Sequence, residues 1–109
     1  MPIQLPPPID AYVRLENSGD AAGLAEVFAA DAVVRDEGQT HQGLAAIAEW
    51  RAATKRKYRH SLEPLDVARR RGKTVLRAGV HGEFPGSPVT LDFSFVIRDE
   101  KVVSLEIGA

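Results

Sequence analysis

The chain has 109 residues, of which 44% are apolar, with a formal net charge of -1 and no cysteine. That length fits one domain with a sizeable hydrophobic core, and the apolar fraction is that of a globular protein, not a disordered one. The near-zero charge argues against bulk attraction to nucleic acid or anionic lipid, and the lack of cysteine excludes a disulfide frame, a thiolate nucleophile and a cysteine zinc site.

Three prolines, Pro6 to Pro8, form a stiff lead-in, and Pro8 suits the first turn of a helix. Ile9, Tyr12 and Val13 recur at helical spacing, and Asn17-Ser18-Gly19 stops that helix. Asp20 is the expected N-cap of a second helix, with Leu24, Val27 and Phe28 on its apolar face and its end near Asp31. Val33 to Asp36 reads as a short strand broken by Gly38. Gly43 precedes a third helix with Leu44, Ile47, Ala48, Thr54 and Tyr58 along one side and Trp50 at the edge of that stripe. The period then becomes alternating. Strands are expected over 60–70, 74–84, 89–97 and 102–107, with Gly79 and Gly82 as bulge or bend points. Leu91, Phe93, Phe95 and Ile97 share one face, and Val103, Leu105 and Ile107 share another. The fold class is α+β: three N-terminal helices packed on a curved antiparallel sheet, in one domain over residues 1–109.

The ordered set of segments carries a family likeness. Tyr12 to Asp20, Leu24 to Val33, Gly43 to Ile47 and Arg98 to Val103 resemble successive motifs of the cone-shaped nuclear transport factor 2-like superfamily. Within it the chain is most similar to the SnoaL-like group, which includes polyketide cyclases, ketosteroid isomerases and many uncharacterised proteins. The resemblance implies the cone fold and a pocket at its open end. In it, Asp36 matches the isomerases' general base and Tyr12 their tyrosine, which donates a hydrogen bond to an oxygen gaining charge. The isomerases' second, protonated aspartate has no clear match. An ungapped count lands on Asp92 and a shorter turn on Phe93, and strand parity points Asp92 away from the aromatic face.

The residues themselves support a similar reading. A carboxylate after two valines is a competent base if desolvation raises its pKa, while the plain alternative is a solvated strand-end aspartate. Tyr12 is either an oxyanion donor or an amphipathic core tyrosine. Trp50, Phe28, Phe93 and Phe95 are expected to bind substrate as pocket walls, with Val27 beside them. His41, His60 and His81 are further acid–base candidates. His81, with Arg77 and Glu83, forms either an anion-binding cluster or an outward polar face. The histidines have no metal-ligand spacing, so no metal and no cofactor are expected. Lys55-Arg56-Lys57 suits a helix C-terminus, and Arg69-Arg70-Arg71 flanks a turn; neither run interleaves with stacking aromatics, which argues against a nucleic-acid site. The expected partner is a small, mostly apolar molecule. Mixed valines and small polar residues on the sheet's outer face suggest a homodimer through the sheet, and no membrane span or leader points to a cytoplasmic protein. The function expected is proton transfer next to a carbonyl, of isomerase or cyclase type; the alternative is a non-catalytic binding or dimeric scaffold module.

Overall fold

The computed structural model describes residues 4–18 and 23–108. Helix α1 spans Pro7–Ser18 and buries Ile9, Tyr12, Val13, Leu15 and Glu16. Its first turn is closed by the N–H groups of Ile9 and Asp10 donating to the Pro6 carbonyl, which suits a start where proline nitrogens have nothing to donate. The expected cap Asp20 lies outside the described residues. Helix α2 is a single turn, Leu24–Val27. The sequence expected it to continue to Asp31; instead Phe28 is already extended and begins strand β1, Phe28–Asp36. Phe28 and Ala32 are buried in that strand, so tertiary packing overrides local helix preference.

Glu37 and Gly38, both at positive φ, turn β1 into a short antiparallel partner, β2, Gln39–Gln42. Gly38 therefore makes a hairpin, and β2 is a strand the sequence did not reveal. Helix α3, Leu44–Tyr58, follows. It starts at Gly43, whose φ of 87° favours glycine, and ends on Arg59 in the left-handed conformation, whose N–H closes on the Lys55 carbonyl. Lys55, Arg56 and Lys57 in its last turn complement the helix dipole. The chain ends in a meander of β3 (Ser61–Arg70), β4 (Lys73–His81), β5 (Val89–Arg98) and β6 (Lys101–Gly108).

The six strands form one curved sheet in the order β2-β1-β6-β5-β4-β3. The sheet is mixed, not wholly antiparallel, because β1 lies parallel to β6. Nor are all three helices N-terminal to the strands: α3 comes after the first hairpin. Two bulges also change the expected faces. Ile97 pairs with Val102 and Val96 with Ser104, leaving Val103 as the extra residue. Val102 and Leu105 therefore face the core, fully buried, where alternation alone pointed Val103 inward. In β3 the shift falls at Leu65, between Pro64 and Asp66, which leaves Leu65 exposed. Gly79 is paired in regular register on both sides and makes no bulge. Gly82 lies just past β4, where an added Cβ would stand 2.6 Å from the Tyr58 carbonyl oxygen. Its bareness lets the β4–β5 loop pass close under the end of α3.

Candidate functional site

The inner face of the sheet and the faces of α1 and α3 leave a cavity of about 280 Å³. Tyr12, Asp36, Trp50 and Phe93 line it, joined by Glu16, Glu37, Thr54, Tyr58 and His60. Leu62, Val80, Phe84, Val89, Leu91 and Ile107 supply most of the apolar wall.

Tyr12 enters from the middle of α1 and is 1% exposed. It sits in an aromatic nest: ring centroids lie 5.3 Å from Phe95, 6.0 Å from Phe28 and 6.2 Å from Phe93. Only Phe93 of these three reaches the cavity. Phe28 and Phe95 pack behind Tyr12 as its support, and Val27 is likewise in the core, so these residues do not form the cavity wall that their strand and helix faces suggested. The Tyr12 hydroxyl has no protein hydrogen-bond partner among the described residues. Burial, followed by the negative charges of Glu16 and Asp36, pushes its pKa well above the ordinary value. The proton accordingly stays on the oxygen, and the group remains a donor.

Asp36 ends β1, immediately before the hairpin turn. Trp50 Nε1–H donates to its Oδ2 at 3.0 Å. Burial raises the carboxyl pKa above its ordinary value; the Trp50 hydrogen bond opposes this, Glu37 adds to it, and His41 and the Glu37 backbone oppose it more weakly. Trp50 is itself fixed by its burial at 8% exposure and by the ring of His41 at 6.0 Å. A carboxylate has about four acceptor sites, and two donors leave room for a third partner from the cavity.

At the mouth, the Tyr58 hydroxyl donates to Glu37 Oε1 at 3.0 Å, and the Tyr58 ring meets Phe84 edge-on at 5.6 Å. Helix α3 thus presents Trp50, Thr54 and Tyr58, each four residues apart, along the cavity.

A buried polar cluster completes the site and is the main feature the sequence reading missed. Glu16, 2% exposed, receives Arg51 Nε–H at 2.8 Å and lies 3.0 Å from His60 Nε2. Arg51 also donates to the Leu15 carbonyl at 2.6 Å. Lys55 does more than complement the helix dipole: its ammonium donates to the Glu16 carbonyl at 2.7 Å and to the His60 carbonyl. Glu16 follows Tyr12 by four residues and Arg51 follows Ile47 by four, so helical spacing already placed both on core-facing stripes.

His81 does not reach the cavity. It is exposed on the outer face of the sheet, with Nε2 3.2 Å from Glu63 Oε1. Arg77 beside it pairs with Asp92 across the strands at 3.0 Å. Position 93, not 92, supplies the cavity-lining side chain, which leaves Tyr12 without a second acidic donor from β5. No cluster of histidine, aspartate and glutamate able to hold a metal ion occurs among the described residues. No helix among them is long and apolar enough to cross a membrane.

A curved sheet closed over three helices around one mostly apolar cavity defines a cone of the nuclear transport factor 2-like class. The chain belongs to the SnoaL-like domain family, whose model matches residues 9–105. It is similar to the crystal structure of a candidate polyketide cyclase from Sinorhizobium meliloti, at 45% identity over 94% of each chain with a TM-score of 0.90. At 20% identity and a TM-score of 0.83 it shares the fold of a hypothetical ketosteroid isomerase-like protein from Catenulispora acidiphila, covering 97% of this chain and 87% of that one. A candidate polyketide cyclase from Pseudomonas putida matches 94% of this chain and 88% of its own, at 20% identity and a TM-score of 0.78. Among curated proteins none matches the chain.

Proposed function

We propose that the cavity catalyses proton transfer next to a carbonyl group of a small, largely apolar compound, as an isomerase or aldol-type cyclase does. The observation that carries this reading is the convergence of an unpartnered, protonated Tyr12 hydroxyl and a partly desolvated Asp36 carboxylate on one apolar cavity. Asp36 takes a proton from the carbon beside the carbonyl. The electron pair moves onto the carbonyl oxygen, where the Tyr12 O–H stabilises the growing charge. The enolate then recovers a proton at another carbon or attacks a second carbonyl. Trp50 holds the Asp36 carboxylate in place through its hydrogen bond. The similarity to the candidate cyclase from Sinorhizobium meliloti supports the reaction class.

The test uses a simple bicyclic ketone, 2-tetralone, and follows exchange of its α-hydrogens in D2O by NMR. Catalysed exchange is expected, falling about 10²–10⁴-fold in Asp36→Asn and about 10²–10³-fold in Tyr12→Phe. Exchange no faster than in buffer carrying equal carboxylate, or exchange that survives Asp36→Asn, would overturn the reading.

A second reading is binding without chemistry. Asp36 and Glu37 stand with the rings of Trp50 and Tyr58 at one end of the cavity, a pairing of carboxylate and aromatic surface that suits a small organic cation. The Catenulispora acidiphila structure is a complex with trimethylamine. Calorimetry with trimethylammonium separates the readings: a cation site loses affinity in Asp36→Asn and supports no exchange of the ketone.

A further inference from the structure

The charge of the cavity is one-sided. Glu16, Asp36 and Glu37 line it, and among the described residues no lysine or arginine does. Glu16 is matched by the Arg51 guanidinium at 2.8 Å. Asp36 and Glu37 have no such match: each is held by a neutral donor, the Trp50 N–H and the Tyr58 O–H, both at 3.0 Å. Two adjacent carboxylates without an ion pair give this end a negative potential, which the apolar wall focuses into the cavity.

The nearby cations do not cancel it. Lys55 is committed to two carbonyls, and Arg59 stands 3.9 Å from Glu83. His41 lies against the Trp50 ring and does not line the cavity. Lys57 feels the charge of Glu37, but it is exposed and off the cavity wall, so solvent screens it.

The two carboxylates serve different places. Asp36 meets Trp50, while Glu37 meets Tyr58, about two turns further along α3. Glu37 is exposed at the mouth, so an entering molecule can reach it. The Tyr12 hydroxyl, on a buried side chain and without a partner, fixes where a carbonyl lies. A molecule with its carbonyl at Tyr12 brings its outer end to Glu37 and the Tyr58 ring. That ring already accommodates one ammonium: Lys57 Nζ lies 5.0 Å from its centroid.

We infer that Glu37 is a specificity-determining residue, which favours carbonyl compounds bearing an ammonium group at their outer end and rejects those bearing a carboxylate there. The inference rests on the proton-transfer reading for the placement of the carbonyl, and it adds the charge of the substrate. An ammonium at the mouth gains both the Glu37 carboxylate and the Tyr58 ring face. A carboxylate there meets like charge and finds no lysine or arginine on the wall to pair with.

The test uses three 2-tetralones, substituted on the far side of the aromatic ring with a dimethylaminomethyl, a hydroxymethyl or a carboxylate group. Calorimetry reads their affinities, and NMR in D2O reads exchange of their α-hydrogens. The dimethylaminomethyl compound is expected to bind about tenfold more tightly than the hydroxymethyl one, and the carboxylate about tenfold more weakly, each step equivalent to about 1.4 kcal/mol. Glu37→Gln keeps an oxygen for the Tyr58 hydroxyl and removes the charge. In that variant the spread between the charged probes, about hundredfold in wild type, is expected to fall to about tenfold. A carboxylate probe that binds as tightly as the hydroxymethyl one overturns the inference, as does failure of all three to bind at millimolar concentration. A spread that survives Glu37→Gln also overturns it and assigns the preference to Asp36. If the affinities keep the expected order and no probe exchanges, the charge preference stands and the proton-transfer reading falls. If all three exchange and bind alike, the proton-transfer reading stands and the charge preference falls.

Discussion

Asp36 shows how a single residue can be held in a condition that costs stability. Its folded-state pKa is raised, chiefly by burial. The folded protein therefore holds this proton more tightly than the unfolded chain does. The stability contributed by the group is fully present below the unfolded aspartate pKa of about 3.9 and is lost as pH rises through the raised folded value. At neutral pH the ionised carboxylate is a net cost. Asp36→Asn removes the charge but keeps an oxygen for Trp50, so it is expected to raise the Tm at pH 7, with the gain fading as pH falls below about 3.9. Trp50→Phe is expected to move the Asp36 titration higher still, because the Trp50 hydrogen bond is the largest influence holding it down. Carboxyl NMR titration and thermal melts read both effects; an ordinary aspartate midpoint together with no gain in Asp36→Asn would remove the argument for a tuned base. The positions of Tyr12 and Asp36 could be read from the sequence because one lies on a helical apolar stripe and the other ends an apolar strand. Glu16 and Arg51 could not, because single charges on a helix read as solvated. The signal present, opposite charges both on core-facing stripes, means something only once the two helices are known to face each other.

At the scale of elements, the mouth of the cavity depends on a close passage between α3 and the β4–β5 loop. Gly82 makes that passage possible: its Cα lies so near the helix end that a methyl group would meet the Tyr58 carbonyl oxygen at 2.6 Å and the Phe84 ring at 3.0 Å. The same carbonyl accepts the Glu83 N–H at 2.6 Å, so the backbone has little room to retreat. Gly82→Ala is expected to cost about 1–3 kcal/mol, as overpacking usually does. Gly108→Ala, with nothing within 4 Å, is expected to stay within about 0.5 kcal/mol of wild type. Urea unfolding of the two variants decides, and equal midpoints would show the loop to be freely movable. The long elements were legible in the sequence: α1, α3 and the four-strand meander follow clear periods of 3.6 and 2. The early end of α2 was not, because Leu24, Val27 and Phe28 fit a helical stripe equally well. The bulges at Leu65 and Val103 were not either, since neither residue is a glycine and alternation carries no mark of a skipped position. The pairing of β1 with β6 joins opposite ends of the chain and leaves no local trace.

For the whole molecule, the question is what covers the outer face of the sheet. The helices and cavity occupy the inner face. Strand register places Ala68, Val75, Ser94 and Glu106 in one row across β3 to β6, and Asp66, Arg77, Asp92 and Gly108 in the next. Val75, Ser94 and Val96 are half-buried in the single chain, and the Arg77–Asp92 pair, with side chains 58% and 33% exposed, stands beside them. Small, partly apolar residues flanked by paired charges match the pattern of a contact with a drier centre and a polar rim. A twofold arrangement would set each row against its own copy, which is the commonest closed symmetry. The protein is therefore expected to be a homodimer through this face, burying on the order of 1,200–2,000 Å² in total. Light scattering at micromolar concentration is expected to give twice the chain mass. Val96→Glu should return the mass to that of a single chain, since each copy would bring an uncompensated charge into the drier part of the contact. A single-chain mass for the wild type, or a dimer unaffected by Val96→Glu, would assign the outer valines to ordinary exposed surface.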